Sequence, residues 1–195
     1  PERARVGTSS LRRLCQLKAR RPDLDVLPLR GNVDTRLRKL DEGELDAVVL
    51  ACAGLKRLGH ENRITCALSF SESLPAIGQG ALAIECRSGD APTLARLAAL
   101  AHLPTALAVS AERAFLVRLS GDCKTPLAAH AELAGGKLIL DGLVGAPDGT
   151  EILRAQREGA PEEGERLGRE LAEELLARGA ARLLACTAIG PVGGE

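Results

Sequence analysis

The chain has 195 residues, of which 45% are hydrophobic and 27% are charged, values that are ordinary for a globular protein. Its 26 basic and 26 acidic residues cancel, and the absence of any run of 18 apolar residues disfavours a membrane span. Phe70 and Phe115 are the only aromatic residues, which disfavours nucleic-acid binding by base stacking. Residue 1 is proline and the sequence contains no methionine, so we expect it to begin inside a longer protein.

The first 60 residues predict an α/β unit in which strands and helices alternate. Strands are expected at residues 4–8, 26–29 and 45–50, and helices at about 10–21, 33–40 and 53–58. This β-α-β-α-β order implies a parallel sheet with helices on both faces. Ser9 or Ser10 is expected to cap the first helix, because a serine hydroxyl can accept hydrogen bonds from the free amides of a first turn.

A connector is predicted at residues 69–80, where proline and several small residues follow one another. Beyond it we expect a strand at 81–86 and helices at 92–103 and 104–119. The pattern then changes to strands at 125–133, 137–145 and 150–156, joined by glycine-containing hairpin turns and followed by a helix at 161–178. This order predicts a small α+β unit, in which a three-stranded antiparallel sheet carries helices on one face.

The cysteines fall into two groups. No C-x-x-C spacing is present, so no metal site is expected. Cys123 is flanked by Asp122 and Lys124, and a nearby lysine tends to lower a thiol pKa and raise its reactivity. Scattered cysteines and the lack of a signal-peptide pattern favour a cytoplasmic protein. The other five cysteines lie among apolar residues and are predicted to be buried: Cys15, Cys52, Cys66, Cys86 and Cys186.

Positive charge is concentrated at the start of the chain, where residues 1–40 hold 11 basic and 4 acidic side chains. Each predicted strand-to-helix turn combines small residues with arginines, at residues 8–13, 30–36 and 51–57. Ligands of open α/β sheets bind at the carboxyl ends of strands, where helix N-termini and arginine forks suit carboxylates. The three turns therefore predict a cleft for a ligand with several carboxylates. The simpler interpretation is a solvated basic face.

Four segments resemble porphobilinogen deaminase (hydroxymethylbilane synthase), and they occur in that family's order. They run from Val6 to Arg13, Leu29 to Leu37, Leu74 to Ala81 and Glu112 to Ala128. The resemblance implies three domains, of which the first two are similar to periplasmic binding proteins. Residues 1–74 would be most of the second domain, 75–102 a hinge and a return segment of the first domain, and 103–195 the cofactor-bearing α+β domain.

The resemblance also implies an activity in tetrapyrrole biosynthesis. Four porphobilinogen molecules would be condensed into hydroxymethylbilane, with release of ammonia, on a dipyrromethane primer that a thioether attaches to Cys123. The expected partners are porphobilinogen and the growing polypyrrole chain, with no nucleic acid or membrane, and the protein is expected to be a monomer. Cofactor binding would fall to Ser10, Arg12, Arg13, Asn32 and Arg36, and substrate binding to Thr8, Ser9, Arg30, Arg36, Arg57 and Gln79.

The central catalytic group of the family is expected to lie outside this sequence. Pyrrole coupling passes through a cationic azafulvene, so the site needs a carboxylate near the pyrrole nitrogen. The family's aspartate would precede residue 1, so we expect no turnover by the 195-residue chain alone. Asp122 also departs from the family, which usually has a small residue before the cysteine.

Two other interpretations stay open. A non-enzymatic carboxylate-binding module of the periplasmic-binding-protein type would explain residues 1–74, but not the cysteine loop or the α+β unit. A structural remnant would keep the fold without activity. A covalent adduct of dipyrromethane size on Cys123 would support the enzyme. The enzyme hypothesis also predicts that the thiol of Cys123 faces the arginine turns across a shared cleft.

Overall fold

The computed structural model describes residues 1–122 and 124–188 and contains two separate three-stranded sheets. The first part of the chain forms β1 (Arg5–Gly7), α1 (Leu11–Arg20), β2 (Asp25–Leu27), α2 (Val33–Asp41), β3 (Ala47–Val48) and α3 (Cys52–Arg57). After a 3₁₀ turn at Glu61–Arg63, the chain continues through α4 (Ala91–Leu97), a 3₁₀ turn at Ala98–Leu100 and α5 (Leu103–Arg118). It then forms β4 (Leu127–Ala134), β5 (Lys137–Gly145), β6 (Ile152–Gly159), a 3₁₀ turn at Pro161–Glu163, α6 (Gly164–Ala177) and α7 (Ala180–Ala188).

The front unit, residues 1–63, is built on a parallel sheet, as the alternating pattern predicted. Its strand order is β2-β1-β3, and both neighbours run parallel to β1. The strands are only two or three residues long, and the buried cluster beneath them consists of Ala4, Val6 and Leu24. Because all three strands point the same way, the turns that follow them meet at one edge of the sheet.

The tail unit, residues 103–188, has an antiparallel sheet in the order β4-β5-β6. Helices α5, α6 and α7 pack against it, and the core between them includes Phe115, Leu140 and Leu171, all fully buried. Gly142 in β5 allows this close approach, because a Cβ there would lie 2.7 Å from Leu171 and 3.0 Å from Phe115. Helix α7 was not predicted from the sequence.

Part of the opposite face of the tail sheet is covered by α1 of the front unit, which packs against β5 and β6. Cys15 and Leu74 are fully buried there with Ala128 and Leu143. A Cβ added to Gly149 in the β5–β6 turn would lie 2.5 Å from the backbone nitrogen of Ala19 in α1. The two units therefore share a tightly packed interface.

Two sequence predictions are corrected by the structure. Residues 81–86 do not form a strand, and Leu82 and Ile84 in that segment are 79% and 59% exposed. A strand requires a hydrogen-bonded neighbour, and the described residues provide none. Cys66 is exposed rather than buried, whereas Cys15 is buried and Cys52 and Cys86 are partly covered. Cys123 and the side chain of Cys186 lie outside the described part of the chain.

Within the described residues, no single helix meets the length and apolarity required to cross a membrane. One bent pair, Ala91–Leu100 with Leu103–Arg118, passes the length and composition test. The same part of the chain holds no cluster of three or more His, Cys, Asp or Glu side chains with the arrangement of a metal site.

Candidate functional site

The three arginine-bearing turns lie together at the carboxyl edge of the parallel sheet. Ser9 joins the first turn to the second, since its hydroxyl donates to Leu29 O at 3.0 Å and accepts from Leu29 N at 2.9 Å. Arg13 joins the first turn to the end of β3, because its Nη1 donates to Val49 O at 2.8 Å. The structure thus brings together the segments that the sequence analysis singled out.

The first turn leaves its helix end without a side-chain cap. Ser10 occupies the N-cap position of α1, but its hydroxyl makes no capping hydrogen bond, contrary to the prediction, and the Ser9 hydroxyl is used at Leu29. Thr8 is buried and its Oγ1 accepts from Ser10 N at 3.2 Å, which orients the turn. The uncapped end of a ten-residue helix offers amides and a partial positive charge to an anion.

Arg12 is the most buried of the site arginines, with 8% of its surface exposed. Its Nη1 donates to Leu74 O at 2.8 Å and its Nη2 to Gln79 Oε1 at 3.3 Å. Burial, followed by repulsion from Arg13, lowers the pKa of Arg12 to about 10, so it is still charged at neutral pH. A buried cation whose described partners are neutral oxygens is electrostatically prepared for an anionic ligand.

Arg13 and Arg36 form a second positive pair across the turns. Burial first, and then repulsion from Arg36, lowers the pKa of Arg13. The Nε of Arg36 donates to Gly31 O at 2.8 Å, which holds the side chain over its own turn. Two guanidinium groups that repel each other gain most when a carboxylate lies between them.

The remaining predicted residues differ in how they are held. Asn32 is the N-cap of α2, and its side chain accepts from Thr35 N at 2.8 Å. Arg30 and Arg57 are exposed and form no hydrogen bond or ion pair through their side chains with any described residue. Gln79 belongs to the connector, where its Oε1 accepts from both Ala76 N and Arg12.

Two residues of this region were missed from the sequence. Gln16 on α1 exchanges hydrogen bonds with Leu74, donating to its carbonyl at 3.1 Å and accepting from its amide at 2.8 Å. Glu112 on α5 is buried and accepts from Gly78 N at 2.6 Å and Ala131 N at 2.9 Å. One signal was available for Glu112, since it lies three positions from Phe115 and four from Ala108 on the core face of the helix.

A cleft of about 200 Å³ runs between the connector and the tail unit. Its lining includes Pro75, Gly78, Gln79, Glu112 and His130. A larger depression, about 600 Å³, lies on the outer face of α6, but its arginines are already paired with glutamates, as in Arg157–Glu174 at 2.6 Å. Neutralised charges give that depression no preference for an anion, so the arginine turns are the better candidate.

Cys123 lies outside the described residues, so the predicted approach of its thiol to the arginines stays a prediction. The neighbouring loop is ordered by Asp122, whose Oδ1 accepts from Lys124 N at 2.8 Å and whose amide donates to Thr125 Oγ1 at 2.9 Å. Positive φ falls on Ser120 (53°) and not on Asp122. The unusual aspartate therefore stabilises the loop through its side chain without backbone strain of this kind.

Comparison with known protein families gives two matches, which follow each other along the chain. Residues 1–95 match the family described as porphobilinogen deaminase, dipyromethane cofactor binding domain. Residues 106–177 match the family described as porphobilinogen deaminase, C-terminal domain. The arginine turns lie inside the first match and position 123 lies inside the second.

Proposed function

Because this chain belongs to the porphobilinogen deaminase family, we propose that it binds a dipyrromethane primer on Cys123 and supports condensation of four porphobilinogen molecules into hydroxymethylbilane. The family acts in tetrapyrrole biosynthesis through porphobilinogen condensation, and its cofactor is dipyrromethane. One observation carries the proposal: five arginines from three converging turns have no carboxylate partner among the described residues. They are Arg12, Arg13, Arg30, Arg36 and Arg57.

The residues present fit a dipyrromethane that carries acetate and propionate groups. A polycarboxylate needs several cations that are not already neutralised, and the edge of the parallel sheet supplies them. Away from this edge, most of the described arginines are paired with a carboxylate, as in Arg5–Asp46 at 2.9 Å and Arg63–Asp41 at 2.5 Å. The arginines elsewhere that have no such partner among the described residues are scattered: Arg3, Arg20, Arg96 and Arg113. The difference in pairing supports a ligand with several negative charges at the three turns.

Each group of residues has a separate task in this proposal. Arg12 and Arg13, both largely withdrawn from water, would bind primer carboxylates together with the open first-turn amides near Ser10. Asn32 and Arg36 would extend the primer contacts along the second turn. When bound, the primer would supply a nucleophilic pyrrole carbon. Each charge-assisted hydrogen bond would contribute about 1.5–3 kcal/mol to binding.

The substrate side is assigned to the more exposed residues of the same edge. Arg30 and Arg57 keep free guanidinium groups and would bind the carboxylates of incoming porphobilinogen and of the growing chain. Gln79 would add a polar contact from the connector. Thr8 and Ser9 would act mainly by holding the first turn in place, since Ser9 bonds both backbone groups of Leu29.

A carboxylate that stabilises positive charge on the reacting pyrrole would come from outside these residues. The acids described near the site are already engaged, because Asp34 lies 2.9 Å from His60 and Glu112 accepts two backbone amides. We therefore expect no steady-state hydroxymethylbilane formation by the 195-residue chain alone, and turnover by it would contradict this point. Three expectations from the sequence stay predictions. They are that the protein is monomeric and cytoplasmic, that its domains divide at 1–74, 75–102 and 103–195, and that the first part resembles periplasmic binding proteins.

Mass spectrometry of the intact chain tests the tether. Protein isolated from cells that make tetrapyrroles should carry an added mass of two linked pyrrole units on the peptide containing Cys123. Cys123→Ser should remove the adduct, whereas Cys66→Ser, which changes an exposed cysteine elsewhere, should keep it. An adduct that persists in Cys123→Ser would assign the tether to another residue and contradict the proposal.

Binding of an untethered ligand tests the arginine edge. In a Cys123→Ser background, a synthetic dipyrromethane tetracarboxylate should bind, and Arg13→Gln should weaken it by at least about tenfold, because a charge-assisted contact is lost. Arg96→Gln on α4 is the matched control and should leave the affinity unchanged. Equal affinity for the chain and for Arg13→Gln would exclude Arg13 from the site.

A further inference from the structure

The connector contains a closed turn at residues 76–79. Gln79 N donates to Ala76 O at 3.0 Å, and Ala76 N donates back to Gln79 Oε1 at 3.0 Å. Gly78 adopts φ +66°, and its amide points out of the turn to Glu112 Oε2 at 2.6 Å. These bonds fix the position at which the turn presents Gln79 Oε1.

Arg12 is bound to this turn and to the residue before it. Its Nη2 donates to Gln79 Oε1 at 3.3 Å and its Nη1 to Leu74 O at 2.8 Å. The Leu74 backbone is itself held in both directions by Gln16. An arginine has five N–H donors. Two of the Arg12 donors are used in these hydrogen bonds, and the other three have no partner among the described residues. The position of the connector therefore sets the direction in which those three N–H groups point.

Glu112 connects that turn to the tail unit. Its Oε1 accepts from Ala131 N at 2.9 Å in β4, while its Oε2 accepts from Gly78 N. The side chain is 6% exposed, and His130, with Nδ1 3.7 Å from Oε1, is the titratable or charged group that faces it within the described residues. Each carboxylate oxygen thus holds a backbone amide from a different part of the chain.

We propose that Glu112 is a positioning residue of the primer site: it fixes the connector turn, and the turn fixes the direction in which Arg12 presents its free N–H groups. The inference rests on the proposed function, because it concerns the same carboxylate-binding edge. Helix α5, which carries Glu112, also leads into the loop that holds position 123. One buried carboxylate on α5 would therefore fix the orientation of an arginine that would bind the primer.

Glu112→Gln tests this relation with little change in volume. Gly78 N and Ala131 N are bound by different carboxylate oxygens. In a carboxamide one of these positions becomes an NH₂ group, which cannot accept and would face a backbone N–H. Glu132→Gln is the matched control, since Glu132 lies on β4 and is exposed. In the Cys123→Ser background, Glu112→Gln should weaken dipyrromethane tetracarboxylate binding by about tenfold. Glu132→Gln should not change the affinity, and equal affinity for the two variants would overturn the proposal.

A measurement without ligand separates positioning from general destabilisation. Burial raises the pKa of Glu112. In NMR titrations, the Gly78 amide and Arg12 Nε–H resonances should therefore shift together, with one midpoint above the usual glutamate range. The joint shift should disappear in Glu112→Gln and persist in His130→Gln, which removes the facing imidazole. An Arg12 Nε–H resonance that is unchanged in Glu112→Gln would overturn the proposal, even if affinity fell.

The binding and NMR measurements distinguish a failure of the proposed function from a failure of the positioning role of Glu112. If the unmodified edge binds no dipyrromethane, the proposed function loses its support, while the NMR titration still decides whether Glu112 positions Arg12. If the edge binds the ligand and Arg13→Gln weakens binding, but Glu112→Gln neither weakens it nor moves Arg12, the proposed function stands and the positioning role is excluded.

Discussion

The front and tail units divide binding and rigidity between them. The front sheet has strands of two or three residues over a small buried cluster, whereas the tail sheet has strands of eight or nine residues over a core of fully buried leucines and Phe115. The arginine turns that would bind the ligand lie in the front unit. A sheet with a small hydrophobic core can present an open, charged edge when it packs against a second unit whose core is large.

The support is visible at the interface. Besides the packing of Cys15, the connector is held from both sides: Arg20 of α1 donates to Ser71 O at 2.6 Å, and Arg154 of β6 donates to Ser71 O and Phe70 O. The Phe70 ring lies 3.8 Å from the His130 ring of β4. The connector therefore fastens the two units and does not behave as a loose linker.

The largest effect should come from the tail core. Leu140→Ala should lower the free energy of unfolding by about 2–5 kcal/mol, because it opens a cavity in a fully buried core. Leu24→Ala in the small front cluster should lose less. Urea titrations followed by far-UV circular dichroism measure both, since the chain has no Trp or Tyr for fluorescence. Equal losses would remove the distinction between the two units.

The interface should give the next largest effect. Gly149→Ala would place a Cβ 2.5 Å from Ala19 N and from Lys18 Cβ, at a φ of +75°. Gly136→Ala has a similar φ of +78° with no atom within 4 Å, so it measures backbone strain alone. Gly149→Ala should be less stable than Gly136→Ala by about 1–3 kcal/mol in the same titration. Equal stabilities would mean that the packing of α1 on the tail contributes nothing.

A smaller effect is expected from the connector. Arg154→Lys keeps a charge beside Asp141 but loses the fork that reaches Phe70 O and Ser71 O, so it should destabilise by about 1 kcal/mol. Limited proteolysis within residues 69–80 should become faster. Arg157→Lys is the control on the same strand, since Arg157 pairs with Glu174 away from the connector. Identical cleavage in the two variants would contradict the fastening role.

The smallest effect is electrostatic and confined to the front unit. The hydrogen bond and charge of Arg5 lower the pKa of Asp46 to about 2. A depressed carboxyl pKa stabilises the fold above the unfolded value of about 4, and that stability is lost as the pH falls towards 2. Asp46→Asn should therefore flatten the acid dependence of stability between about pH 4 and 2. Asp25→Asn is the charge control, and equal flattening by both would contradict the Arg5–Asp46 contribution.

The sequence predicted the features of the fold that depend on neighbouring residues in the chain. Alternation of short apolar runs with helices indicated the parallel sheet, and Gly135-Gly136 marked a hairpin in which both residues have positive φ. The expected strand at 81–86 failed because a strand depends on a neighbour that local pattern does not reveal. Helix α7 was missed because Gly179, at φ 101°, looks like the end of a helical region and not a break between two helices.

In the candidate site, too, local features could be predicted from the sequence and long-range contacts could not. The arginine turns could be located from the sequence, since each follows a predicted strand. The contact between Arg12 and Leu74 could not, because 62 residues separate them and the contact exists only after α1 meets the connector. Glu112 was not singled out as a site residue, because the contacts of its two carboxylate oxygens with Gly78 and Ala131 join segments that are distant in the sequence.

The burial of Cys15 makes separation of the two units observable. Its environment raises the pKa of the thiol to about 12, so it stays protonated and shielded while α1 rests on the tail sheet. A thiol reagent can modify it only in molecules whose units have parted, whereas exposed Cys66 is modified at once. The ratio of the modification rates of Cys15 and Cys66 therefore reports how often the front and tail units separate.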